Sequence, residues 1–454
     1  MKTSAGLRNP ESDGELPRPF EIQSYDDLLQ FPQIPESTIE TPSGSRAVTD
    51  PLVDAIVVPT IRSAEQLHSA VKLAAHARCH LIAVYTNRPP AGLSAILDKF
   101  PSARVTLLTV RREAHHRLLD LGTSLPQSVM SRAALDISRK RNLGVLIGRV
   151  CGWTRMLFLD DDIRKLNVGK LCSAAALLDH YPVVGLQVKK FPDASVVGHA
   201  RRLTGRRQEP LVSGGSLLVN PQLLKGYFAP VYHEDWLCVI DHLRKGEVAI
   251  GGTVGQWSYL PFTTPGRAKR EEFGDVLLAG LLWLVHSRVR KNANITYPVG
   301  DFEYWREATK PHFWEKILEQ RAALIREIAT QLKAINLADP LPFSSLTAAE
   351  EQLSELEPAG FVSFIEAWLT SVVGWRQQLS LLPRVNFPDK ARAIEKAVAK
   401  LGLAEVVRVH ELPVRDIPAK QPGRIGGFAS HWGRRAGADG RRLFRDASLV
   451  LRGR

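Results

Sequence analysis

Short apolar runs alternate with longer helical stretches along the first two-thirds of the chain. Ala55-Ile56-Val57-Val58 is stopped by Pro59-Thr60, and from Ser63 onward Ala64, Leu67, Ala70, Val71 and Ala74 recur at helical spacing. That pattern predicts a strand, a turn and a helix. Residues 80–85 predict a second strand, ended by Thr86-Asn87-Arg88-Pro89-Pro90, and residues 105–110 a third. A helix over about 131–150 leads into residues 155–159, read as a fully buried strand, with further strands expected at 183–188 and 215–219. Helices are expected at 234–245 and 271–290. Strands alternating with helices predict the α/β class, with a mostly parallel sheet covered on both faces. From residue 303 the periodicity is helical only, over 313–335, 348–355, 361–381 and 389–401.

This pattern divides the chain into four parts. Residues 1–51, rich in Pro, Ser, Glu and Asp without sustained period, read as a mobile or loosely docked extension. Residues 52–300 form the α/β domain and 301–418 a helical C-terminal extension. Residues 419–454 form a Gly-spaced tail with nine Lys/Arg and two Asp, a net +7 out of +13 for the whole chain. Apolar residues at 44% and charged residues at 24% exclude wholesale disorder and a polytopic membrane protein. The most apolar stretch, 276–285, is far short of the ~20 residues that cross a bilayer. Four scattered cysteines without a CxxC pair predict free thiols, mostly buried, and a cytoplasmic location. The basic tail adds peripheral contact with an anionic membrane surface; nucleic acid is the less favoured partner.

The candidate chemistry begins where the fourth strand ends, in Asp160-Asp161-Asp162. Like charges placed this close repel, and a divalent cation relieves the repulsion. Alternate residues Asp160 and Asp162 are the expected ligands, with hard oxygens selecting Mg²⁺ or Mn²⁺. The carboxyl end of a strand in an open α/β sheet is also where ligands bind. Aspartates that cap the next helix in solvent are the alternative.

Upstream, Arg141-Asn142-Leu143-Gly144 reads as opening the helix that feeds this strand, and Phe158-Leu159 precede the aspartates. Downstream come Gly226-Tyr227-Phe228, then His233-Glu234-Asp235-Trp236, Asp241 and Gly246. Together these segments resemble the glycosyltransferases of the GT-A fold, especially the family 2 group, which show Ala-Arg-Asn-x-Gly, Phe-Leu-Asp-x-Asp and Gly-x-Phe … Glu-Asp … Gly. Here Lys140 stands for the first Ala, and the first spacing is about two residues longer. The resemblance covers about residues 54–290. It implies a Rossmann-like mixed sheet and a hexosyltransferase (EC 2.4) using a nucleotide-sugar donor, such as a UDP- or GDP-sugar, and a hydroxyl acceptor. It further implies Asp235, with Glu234 beside it, as the general base of an inverting reaction. Pro59, Thr60, Arg62, Asn87, Arg141, Asp160 and Asp161 would line the donor site, with Arg139 a weaker candidate for its phosphates. His199, Arg202, Gln208, Gly214, Gly215 and Trp236 would line the acceptor site.

Other features carry less. Trp257, Tyr259 and Phe262 are candidates for stacking on a sugar or for packing. His233 and His286 are read as structural rather than as metal ligands. Glu271-Glu272-Phe273-Gly274-Asp275 reads as acidic capping of the helix it opens. No Gln-x-x-Arg-Trp follows the Glu-Asp pair, which argues against a processive synthase. Two other classes compete. An apolar strand followed by Asp-x-Asp also opens haloacid-dehalogenase-like phosphohydrolases, although Ile163-Arg164 follow here where those carry Thr. The second is a non-catalytic scaffold that binds membrane or nucleic acid through the basic tail.

Overall fold

The computed structural model describes residues 53–121, 131–189, 194–206, 212–290, 302–410 and 412. The N-terminal extension, the basic tail and the candidate acceptor residue Gln208 lie outside them. The chain is α/β, with a mixed nine-stranded sheet. Its strands are β1 (Ala55–Pro59), β2 (His80–Thr86), β3 (Arg104–Val110), β4 (Met156–Leu159), β5 (Ile163–Arg164), β6 (Val183–Val188), β7 (Ser216–Val219), β8 (Val248–Gln256) and β9 (Val407–His410). Their spatial order is β5-β8-β6-β7-β4-β1-β2-β3-β9.

The apolar runs arise because these strands are buried on both faces. Along β1, Ala55 and Val57 enter one core with Ile82, Val84 and Phe158. Ile56 and Val58 enter the other with Leu81, Ala83 and Leu159. From β4 through β1 and β2 to β3 the pairing is parallel, as the pattern predicts. The rest departs from the expectation of a mostly parallel sheet. β7 runs antiparallel to both β4 and β6, β5 to β8, and β9 to β3. β8, missed in the sequence, lies parallel to β6 with a register irregularity between Gly185 and Gln187.

One face is covered by α1 (His68–Ala77), α2 (Leu93–Lys99) and α4 (Val168–Ala176), which supply Val71, Leu93 and Leu171 to the second core. The opposite face carries α3 (Arg132–Val150), α5 (Val196–Leu203), α6 (Glu234–Arg244) and α7 (Pro265–Arg290). Ser131 caps α3 by accepting the Ala134 N–H at 3.0 Å. After the short α8 (Phe302–Trp305) come α9 (Pro311–Ala334), α10 (Leu341–Glu355), α11 (Pro358–Ser380) and α12 (Lys390–Lys400). Pro at the first turn of α9 and α11 marks where each begins.

The boundary expected near residue 300 does not separate two cores. Trp314, Phe361, Phe364 and Trp375 are buried in the same cluster as Phe158 and Trp236, and the described residues form one compact unit. The C-terminal region is not purely helical either, since β9 closes the sheet edge beside β3. All four cysteines are free, Cys79 and Cys238 buried and Cys151 and Cys172 half-buried. Among the described residues no single helix is long and apolar enough to cross a membrane. The apolar pair α10 and α11, bent by 79°, buries Leu346, Phe361, Phe364 and Trp368 in the core.

Candidate functional site

The acidic loop leaves the sheet at the carboxyl end of β4, between β1 and β7. Asp160 N–H donates to the Gly215 carbonyl at 2.8 Å, fixing the loop to the chain before β7. A Cβ on Gly215 would lie 2.7 Å from Asp160 Oδ2, so a bare backbone is required there. Gly214 is equally confined, by the Arg141 guanidinium and by Asp235 Cβ at 2.8 Å.

Arg141 is the centre of this arrangement. It does not open α3, as the pattern had implied, but lies buried in the middle of that helix. Its Nη2 donates to Asp160 Oδ1 at 3.0 Å and Oδ2 at 3.3 Å, and its Nη1 donates to Glu234 Oε1. The guanidinium is 4% exposed, so it bridges two carboxylates rather than waiting for donor phosphates. Asn142 does parallel work one residue on. Its Nδ2 donates to the Phe228 carbonyl and its Oδ1 accepts the Phe228 N–H, both at 2.9 Å. A Cβ on Gly144 would lie 2.9 Å from the Phe158 ring, which sets how closely α3 approaches β4. The three named positions of the tetrad thus tie the acidic loop, Gly226-Tyr227-Phe228 and Glu234-Asp235 into one body.

Glu234 and Asp235 open α6 behind His233, whose backbone is left-handed with φ 70°. Asp235 Oδ2 accepts the Gly214 N–H at 2.6 Å and Oδ1 accepts the Trp236 N–H at 2.8 Å. Each oxygen retains a lone pair for a further donor. Burial pushes Glu234 up to about 7, the pull of Arg141 being opposed by Asp235 and Asp160. Trp236 itself is 3% exposed in the core and does not face an acceptor pocket.

The cation that relieves the three aspartates is supplied by the protein. Arg141 takes Asp160, while Arg62 lies 2.8 Å from Asp161 Oδ1 and 3.6 Å from Asp162 Oδ2. Arg141 is fixed, but the Arg62 side chain is half exposed. Asp161 also accepts the Thr60 hydroxyl, whose oxygen accepts the Arg62 N–H at 3.0 Å. Thr60 therefore holds the loop after β1, its backbone N–H donating to the Val84 carbonyl at 3.0 Å. Asp162 is different: Gln256 donates to its Oδ2 at 3.3 Å, but its buried Oδ1 has no hydrogen-bond partner among the described residues. Burial, and then the charge of Asp160, raise its carboxyl above the ordinary range. An orphaned buried oxygen beside a second carboxylate fits a hard divalent ion. Among the described residues, no group of three or more His, Cys, Asp and Glu is arranged to hold a metal.

Several expected site residues serve the scaffold. Asn87 is exposed with φ 62°, and its Oδ1 accepts the Arg112 N–H at 2.8 Å across a turn. Arg139 is bound to Asp120 and to the Arg112 carbonyl at 2.9 Å. His199 is buried 2.8 Å from Tyr259 Oη, and burial, Arg267 and Arg202 lower it to about 4, so it is a neutral packing group. Arg202 stands half-buried beside it at the end of α5. Phe262 packs against the core. Trp257 is 58% exposed, and its backbone N–H donates to the Asp162 carbonyl at 3.0 Å.

Two groups were missed in the sequence. Lys140, in place of the expected Ala, is buried and donates to the Thr60 carbonyl at 2.9 Å and to Asp136 at 2.6 Å. Gln256 lies at the end of the unrecognised β8. Lys140 standing where the resembled pattern has Ala was the available signal for the first.

The acidic stretch of α7 is not a cap, since the helix begins six residues earlier at Pro265. Glu272 and Asp275 are buried against Arg321 of α9, at 2.6 Å and 2.9 Å for Glu272 and 2.6 Å for Asp275. His233 Nε2 lies 2.8 Å from the other oxygen of Asp275, which gives that histidine a structural role. No protein-family model matches this chain, and no curated protein matches it.

Proposed function

We propose that the chain is a metal-dependent glycosyltransferase of the GT-A type, moving a sugar from a nucleotide-diphosphate donor to a hydroxyl acceptor. The observation that carries this reading is the single buried Arg141, which holds Asp160 of the acidic loop and Glu234 of the Glu-Asp pair at the carboxyl edge of the sheet. It couples the two acidic segments whose separation in sequence is otherwise unexplained. Mg²⁺ or Mn²⁺ held by Asp162 and Asp160 would stabilise the charge that develops on the leaving diphosphate. Asp235 takes the acceptor hydroxyl proton, its carboxylate aimed by the Gly214 and Trp236 N–H groups. A base on one side of the anomeric carbon and a leaving group on the other give an inverting course. Arg62 is the movable cation, free to turn from Asp161 and Asp162 toward the diphosphate. Exposed Trp257 offers a flat face for the sugar or base.

The test is thermal stabilisation against nucleoside diphosphates and nucleotide-sugars, each with and without Mn²⁺. A metal-dependent shift with one nucleotide, absent in Asp162→Ala, is expected. No shift with any nucleotide in a folded sample would overturn the reading.

A further inference from the structure

Behind the acidic loop, between α1 and the start of α4, lies a cleft of about 660 Å³ that the reading above does not use. Lys72 and His76 rim it from α1, Arg164 from the end of β5 and Lys165 just after it, and its floor is Leu73, Leu159 and Ile163. Among the described residues no carboxylate lines it. Lys72, His76 and Lys165 also have no acidic partner among the described residues. A surface that gathers positive groups over an apolar floor, without compensating acids, is complementary to an anion with an apolar body.

Lys165 strengthens the case. Its φ is 63°, a left-handed conformation uncommon and strained for a residue with a long side chain. The stem packs over Gly255 of β8, where a Cβ would lie 3.3 Å from Lys165 Cδ. The backbone is thus held in a costly form at a lysine that lines the cleft. Arg164 connects the cleft to the acidic loop, donating to the Asp161 carbonyl at 2.8 Å while its guanidinium lies 4.9 Å from the Trp257 ring centroid.

We propose that this cleft is a binding site for an organic phosphomonoester, its dianionic head between Lys72 and Lys165 and its apolar body on the leucine and isoleucine floor. The site is independent of the glycosyltransferase reading and stands whether or not the acidic loop binds a nucleotide-sugar.

The experiment titrates the full chain calorimetrically with phenyl phosphate and with inorganic phosphate, without divalent metal. It uses the unaltered protein and the Lys72→Ala/Lys165→Ala double variant. Saturable binding of phenyl phosphate is expected, about tenfold tighter than inorganic phosphate because the ring buries on the floor. The double variant, whose side chains are at the surface, should keep its melting temperature and lose about tenfold or more in affinity. Absence of saturable binding, or binding that survives the double variant, would overturn the proposal. Equal affinity for the two probes would remove the organic body from it.

Discussion

Among the described residues, buried arginine meets several carboxylates in two places, and they differ in what is left over. At the interface of α7 and α9, Arg321 binds Glu272 through two hydrogen bonds and Asp275 through one, and His233 takes the remaining Asp275 oxygen. At the acidic loop, Arg141 is as deeply buried, but Arg62 is half exposed and Asp162 keeps an unpartnered oxygen. The first cluster is closed and serves packing. The second is open on one side, and its one movable cation occupies the place where a ligand's charge would act. Counting charges does not separate the two; exposure of the cation and the orphaned oxygen do.

The widest gap between them should appear on removing the arginine of the closed cluster. Arg321→Met strands two buried carboxylates and should cost about 3–5 kcal/mol in chemical denaturation. A loss below 1 kcal/mol would mean that the cluster is wetter than its burial implies. At the open cluster, Asp235→Asn should leave nucleotide binding intact and slow donor turnover by about 10²-fold or more. Equal turnover would remove Asp235 from the base role.

The pH dependence of stability should differ in sign between Asp275 of the closed cluster and Glu234 of the open one. Arg321 and His233 hold Asp275 at about 2 against the cost of its burial, so it adds stability above its unfolded range near 4 that is lost as pH falls toward 2. Glu234, raised by burial to about 7, binds its proton more tightly folded than unfolded and lowers stability as pH rises from about 4.5 to 7. Glu234→Gln should flatten that upper slope in melting curves and leave the acid limb intact. The smallest effect belongs to Arg62→Ala. With the side chain half exposed, the fold should lose less than about 1 kcal/mol. Mn²⁺ affinity, read by calorimetry, should rise severalfold because a competing cation has gone; a fall would show that Arg62 supports the site.

Much of the parallel half of the sheet was legible, because strands buried on both faces must be continuously apolar. Strand β8 was not. Gly251, Gly252 and Gly255 interrupt its pattern, and one of these glycines leaves room for Lys165 rather than marking a turn. Strand β9 is four residues with an exposed arginine, a signal no stronger than that of a loop. The acidic loop and the Glu-Asp pair could be found from their charges. Their linkage through Arg141 could not, since nothing in a one-dimensional pattern distinguishes an arginine aimed at carboxylates from one aimed at phosphate. His199 and Trp236 show the same limit: polar or aromatic residues in a promising stretch were claimed by the core.

The return of the chain to β3 has a consequence for anyone who would shorten it. Residues 407–410 cap a strand whose outer hydrogen-bonding groups would otherwise face solvent. Ending the protein near residue 300 would strip that cap and uncover the apolar flank on which Trp314, Phe361 and Trp375 pack. The fragment would retain every carboxylate discussed above. It would also present a bare edge ready to recruit strands from its neighbours, and self-association would consume it before its chemistry could be measured.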